Sequence, residues 1–125
     1  MAKILVIEDD GHIRKMIKDF LKTQTHDVDE AYNALSGIEK IKNNKYDLII
    51  SDNQMPGVSG LNIVPIIKKL TNAPLILISG FFSREEVIEG HKKGVSKILV
   101  KPFNMSELDG VVVDCLYAAL NNKVG

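Results

Sequence analysis

The sequence predicts a single α/β domain, a five-stranded parallel sheet with helices on both faces, and two patterns carry that expectation. Four short apolar runs, Ile4–Ile7, Leu48–Ile50, Leu75–Ile78 and Ile98–Val100, are continuous rather than alternating, as strands covered on both faces require. Longer segments between them repeat their apolar residues at helical spacing, and strands that alternate with helices pair in parallel through right-handed crossovers. At 125 residues the chain is expected to be one domain, spanning 1–125, with enough core to fold without a disulfide or a metal.

Taken in order, Ile4–Ile7 makes the first strand and runs directly into Glu8-Asp9-Asp10, unlike a signal peptide. Asp10 begins or caps the first helix, where Ile13, Met16, Ile17, Phe20 and Leu21 form an apolar stripe. Asp27 to Tyr32 has mixed polarity and lies between two helices, which suits an edge strand. Leu35, Ile38 and Ile41 mark the second helix, ending at Asn43-Asn44. Leu48–Asp52 is the next strand, followed by the polar turn Asn53-Gln54-Met55-Pro56-Gly57. A third helix carries Ile63, Ile67 and Leu70, with Ser59 as its cap and Pro65 expected to kink or shorten it. The fourth opens with the capping-box spacing Ser83-Arg84-Glu85-Glu86, carries Lys92-Lys93 in its last turn and stops near Gly94. The fifth runs from about Met105 to Leu120, with Asn104 and Glu107 spaced as a second box. Its residues Leu108, Val112, Cys115 and Ala119 make one apolar stripe, and Val113, Tyr117 and Leu120 another, which implies either deep burial or a surface kept for a partner.

Composition excludes several classes. Sixteen basic residues balance sixteen acidic ones, so no electrostatic footprint for direct nucleic-acid or membrane binding exists. No apolar run approaches a membrane span. The single Cys115 allows no internal disulfide, which fits a reducing compartment and a cytoplasmic location. His12, His26 and His91 share no metal-ligand spacing and read as surface or helix-end residues.

Open parallel sheets bind ligands outside the carboxyl ends of their strands, so what each strand delivers there is informative. The first ends in Glu8-Asp9-Asp10, the third in Asp52, the fourth in Ser79-Gly80 and the fifth in Lys101-Pro102. Carboxylates gathered in one place repel each other unless a cation relieves them, and an all-oxygen set favours a hard ion such as Mg²⁺. A lysine adds a point charge suited to a phosphoryl oxygen. The group points to a phosphoryl group accepted by Asp52 as an aspartyl phosphate.

These residues carry a resemblance to the receiver domains of two-component response regulators. It covers essentially the whole chain, through Ile4-Leu5-Val6-Ile7-Glu8-Asp9-Asp10, Asp47-Leu48-Ile49-Ile50-Ser51-Asp52-Asn53-Gln54-Met55-Pro56-Gly57-Val58-Ser59-Gly60 and Lys101-Pro102-Phe103. The resemblance implies a flavodoxin-like (βα)5 fold with strand order 2-1-3-4-5. It makes Asp52 the phosphoacceptor and Ser79 and Lys101 its phosphoryl-binding partners. It assigns Mg²⁺ to Glu8, Asp9, Asp52 and the backbone carbonyl of Gln54, with Asp9 the more direct of the acidic pair. A cis peptide at Lys101-Pro102 is implied as well.

On this footing the domain is a phosphorylation-dependent switch rather than an enzyme, serving a histidine kinase or phosphotransfer protein. The face built from the fourth helix, fifth strand and fifth helix would meet an output partner or a second copy in a homodimer. One departure stands out: similar receivers commonly place Tyr or Phe three residues before the lysine, and this chain has Ile98. Gln54 and Phe81 hold the positions that tune phosphoryl lifetime in similar receivers, and Phe81 is expected to hinder attacking water. Two other readings use the same residues: an Mg²⁺-dependent phosphohydrolase with Asp52 as nucleophile, and an interaction module that no longer reacts.

Overall fold

The computed structural model describes residues 1–55 and 58–124, with the backbone alone at 58–60 and 122–124. In chain order the elements are β1 (Lys3–Ile7), α1 (Gly11–Thr23), β2 (Asp27–Ala31), α2 (Ala34–Asn43), β3 (Leu48–Asp52), α3 (Gly60–Leu70), β4 (Leu75–Ser79), α4 (Arg84–Lys93), β5 (Lys97–Val100) and α5 (Met105–Val124). The five strands form one parallel sheet in the order β2-β1-β3-β4-β5. Between β3 and α3, Gln54–Met55 pairs antiparallel with Val58–Ser59 in a two-residue ribbon.

Alternation along each strand divides the core into two layers. Leu5, Ile7, Ile49, Leu75 and Leu77 face one side, where they pack with Ala34 and Ile41 of α2 and Ile63, Val64 and Ile67 of α3. Ile4, Val6, Leu48, Ile50, Ile76, Ile78 and Leu99 face the other, against Ile17 and Leu21 of α1 and Leu108, Val112 and Cys115 of α5. Each such fully buried aliphatic side chain contributes about 1.5–3 kcal/mol relative to exposure, which is why the unbroken apolar runs become central strands. Gly37 on α2 leaves room for this packing, because a Cβ there would stand 2.5 Å from Ile7 Cδ1.

The edge strand β2 is held by polar contacts that its sequence does not advertise. Tyr46 Oη donates to Asp29 at 2.6 Å, and Glu30 receives Arg14 at 3.3 Å and Lys18 at 3.1 Å. The strand ends at Ala31, one residue before the expected limit, and Tyr32 is exposed.

Helix ends follow the expected chemistry in most places. Asp10 caps α1 by accepting from the His12 and Ile13 amides. Ser83 and Glu86 close a capping box at α4, which stops at Gly94 in the left-handed region (φ 109°). Asn104 and Glu107 exchange the two hydrogen bonds of the second box at α5. The Pro56-Gly57 turn and the Ser59 side chain expected as a cap lie outside what the structure describes, but Asn53 Oδ1 accepts from the Leu61 amide at 3.1 Å in the first turn of α3. Pro65 lies inside α3 without ending it. The missing Pro65 amide would have bonded the Leu61 carbonyl, and Lys93 Nζ donates to that carbonyl instead, at 3.4 Å.

Three expected stripe residues are not core: Leu35 on α2, Met16 on α1 and Leu70 on α3 are exposed, at 75%, 45% and 40%. Leu35 and Met16 lie at the margins of their helices' apolar arcs, and the sheet covers only the centre of each arc. On α5 the two stripes part. Leu108, Val112 and Cys115 are buried, while Val113, Tyr117 and Leu120 are exposed, so the second stripe is surface rather than core. No helix among the described residues is long and apolar enough to cross a membrane.

Candidate functional site

The parallel register sets the ends of four strands side by side. Ile7 pairs with Ser51, Asp52 with Ile78, and Ser79 with Val100, so the next residues, Glu8, Asn53, Gly80 and Lys101, leave the sheet along one edge. Glu8, Asp52, Asn53 and Ser79 are all buried there, a concentration of polar groups that the core lacks elsewhere among the described residues save Ser51.

Asp52, the last residue of β3, is 3% exposed. Its Oδ1 accepts from the Gln54 amide at 3.0 Å, and its Oδ2 lies 3.4 Å from Lys101 Nζ. The same ammonium stands 2.9 Å from Glu8 Oε1, so Lys101 bridges the two buried acids. Its backbone is fixed by donation from its amide to the Ser79 carbonyl at 2.8 Å, and the peptide that follows, Lys101-Pro102, is cis. Ser79 is buried with its hydroxyl turned to the loop: Oγ donates to the Phe81 carbonyl at 3.1 Å and accepts from the Phe81 amide at 3.4 Å.

Asp9 is exposed, yet it brings a carboxylate oxygen to the same place. One oxygen each from Glu8, Asp9 and Asp52 lie within 4.8 Å of one another. Burial, and then the Asp52 carboxylate, push the Glu8 carboxyl up to about 8, with Lys101 opposing. Burial works against the Lys101 ammonium, but Glu8 and Asp52 outweigh it and hold that group above the usual lysine range. Glu8 Oε1 is buried and has no aligned hydrogen-bond donor, although Lys101 faces it as an ion pair. A buried carboxylate oxygen short of donors, within an all-oxygen cluster, suits a hard dication such as Mg²⁺.

Asp10 is not part of this cluster in role. Its side chain is committed to the α1 cap, and the Ile13 and His12 amides hold its carboxyl below the usual range. Of the histidines, His91 contacts the Val95 carbonyl beyond α4 and His26 accepts from the Ala2 amide, so neither approaches the acidic cluster.

Two neighbours of the site carry no signal in the sequence. Asn53 is buried and ties the residue after Asp52 to β4 and α3, through its amide to Ile78 O at 2.7 Å and its side chain to Leu61. Arg14 Nη1 donates to the Glu8 carbonyl at 2.7 Å. Asparagine in a turn and arginine on a helix are ordinary, and only the fold brings them to the acids.

A doubly wound parallel sheet whose carboxyl edge carries a buried acid pair bridged by lysine defines a class of small α/β domain that binds ligands at the strand ends. Comparison with known proteins narrows this class: residues 4–113 match the sequence pattern of the response regulator receiver domain, and the chain belongs to that family. The response regulator ArlR of Staphylococcus saprophyticus is 34% identical over 108 residues, 86% of this chain and 49% of that protein. This chain thus spans about half the length of the curated relatives it matches. Among solved structures, the chemotaxis protein CheY4 of Vibrio cholerae superposes with a TM-score of 0.87 at 29% identity, covering 93% of this chain and 99% of that one. A CheY-like receiver domain protein from Methanospirillum hungatei gives 0.91 at 25% identity, covering 100% and 99%.

Proposed function

We propose that this domain is a phosphorylation-dependent switch of a two-component system, with Asp52 as the phosphoacceptor. The observation that carries the reading is the Lys101 ammonium held between Glu8 and Asp52 at the sheet edge, 2.9 and 3.4 Å from their oxygens. An oxygen of Asp52 attacks the phosphorus of a phosphohistidine on a histidine kinase or phosphotransfer protein. The new O–P bond forms as the P–N bond breaks and the imidazole leaves. Lys101 moves its charge to a phosphoryl oxygen, and the Ser79 hydroxyl exchanges its Phe81 carbonyl bond for another.

Glu8, Asp9, Asp52 and the Gln54 backbone carbonyl would hold Mg²⁺, which when bound supplies positive charge against the gathered acids and the incoming phosphoryl oxygens. The phosphorylated form binds its output partner, or a second copy, through the α4-β5-α5 side, where Ile88, Val100, Val113, Tyr117 and Leu120 are exposed. The buried free thiol of Cys115 supports a cytoplasmic setting.

Incubation with a small phosphodonor and Mg²⁺ should add one phosphoryl group by intact mass, and Asp52→Asn should abolish it. No gain in the wild type would overturn the proposal in favour of the non-reacting module. Repeated turnover on phosphate esters would instead favour the phosphohydrolase.

A further inference from the structure

We propose that Arg14 is a positioning residue for the acidic pair, holding the Glu8–Asp9 peptide in the orientation that directs both carboxylates to one cation. The inference rests on the magnesium site proposed above.

Arg14 is the fourth residue of α1, and its amide closes the first helical turn on the Asp10 carbonyl at 2.9 Å. Side chains on a helix lean toward its N-terminus, so this position sends a long side chain back over the β1–α1 loop. There Nη1 donates to the Glu8 carbonyl at 2.7 Å, while Nε is held by Glu30 Oε1 at 3.3 Å, and Lys18 holds the other Glu30 oxygen at 3.1 Å. The Glu8 amide donates to the Ala31 carbonyl at 3.0 Å. Glu8 is thereby fixed through its amide by β2 and through its carbonyl by Arg14. That carbonyl belongs to the peptide plane leading into Asp9, and its rotation sets the angle between a buried acid and an exposed one. Only a forked donor serves both partners, since a lysine ammonium lacks the planar reach from Glu8 O to Glu30.

The charge of Arg14 argues in the opposite direction. A cation near a dication site weakens binding, so removing it by charge alone would strengthen Mg²⁺ affinity. Loss of positioning weakens it, and the sign separates the two. A purely structural role would lower the unfolding midpoint and leave the affinity of the folded protein unchanged.

The experiment is calorimetric titration of MgCl₂ into the phosphate-free chain, well below its unfolding temperature, for wild type, Arg14→Met, Arg14→Lys and Asp9→Asn. Arg14→Met should weaken Mg²⁺ roughly tenfold, the scale seen when a group that orients a metal ligand is removed. Arg14→Lys, which keeps the charge and is the milder change for folding, should also weaken it. Unchanged or tighter binding in both Arg14 variants, with Asp9→Asn weakened, would overturn this proposal and leave the magnesium site standing. Absence of Mg²⁺ binding in wild type would overturn both.

Discussion

Lys101 stands between two carboxylates that are almost wholly buried, at 2% and 4% side-chain exposure, so its removal measures the repulsion the site contains. Lys101→Met should cost about 3 kcal/mol at neutral pH without divalent ions, the lower end for breaking a buried pair because Glu8 can take up a proton. Urea unfolding reads the loss, and MgCl₂ should restore more stability to the variant than to the wild type. An unchanged midpoint would show that the acids are solvated better than their burial implies. Phe81 offers a second test at this scale. Its backbone is bonded to the Ser79 hydroxyl and the residue is 68% exposed, where it would screen a phosphoryl group carried by Asp52. Phe81→Ala should speed loss of the phosphoryl group severalfold, followed by intact mass over time, and an equal rate would remove Phe81 from that role. The strand-end residues were legible in the sequence because a buried strand that ends in Asp or Lys has little structural reason to do so. Asn53 and Arg14 were not, since their partners, Leu61 and Glu8, are set by tertiary approach rather than by spacing.

The elements were legible wherever burial is two-sided. Continuous apolar runs became the central strands, and caps written as Ser83–Glu86 and Asn104–Glu107 formed as spaced. Legibility failed at margins, where the sheet's width decides which arc of a helix is covered: Met16 and Leu35 fit the period but lie outside the shadow of the strands. Inside α3, Pro65 frees the Leu61 carbonyl, which another element answers. Lys93→Met should therefore cost about 1 kcal/mol, the scale of a lost hydrogen bond, and close to nothing in a Pro65→Ala background, where the alanine amide can serve Leu61. Equal costs in the two backgrounds would show that Lys93 acts through its ion pair with Glu89 instead. Between α2 and β1 the fit leaves no slack. Gly37→Ala gains up to about 1 kcal/mol in helix propensity, but its Cβ would meet buried Ile7 atoms at 2.5 and 2.9 Å, and overpacking costs about 1–3 kcal/mol. The expected net result is a lower thermal midpoint. Since Ile7 precedes Glu8, Gly37→Ala should also weaken Mg²⁺ binding in the same titration.

At the scale of the whole molecule, the sheet separates two ends with different titration behaviour. The carboxyl edge gathers the acids, whereas the opposite edge is closed by the start of the chain: Asp27 donates its amide to the Ala2 carbonyl at 2.9 Å, and the Ala2 amide donates to His26 Nδ1 at 3.2 Å. That second bond requires an unprotonated Nδ1. Burial, and then the N-terminal ammonium, hold the His26 imidazole below the usual histidine range, with Asp109 opposing. The unfolded chain therefore binds the His26 proton more readily than the folded one, and stability falls as the pH is lowered through the ordinary histidine value of about 6.5. Above that value the contribution is fully present, and below the depressed folded value its decline is complete. Glu8, raised to about 8, takes up its proton in the folded state over the same range and opposes this loss, so the His26 contribution is read as the difference in urea midpoint between wild type and a variant that cannot titrate at this position. His26→Asn keeps an acceptor near Nδ1 and has no proton to take up, so its midpoint should match the wild type near pH 7.5 and rise above it as the pH falls below about 6.5. A difference between the two proteins that stays constant with pH would remove His26 from the proton uptake and reduce the Ala2 contact to packing.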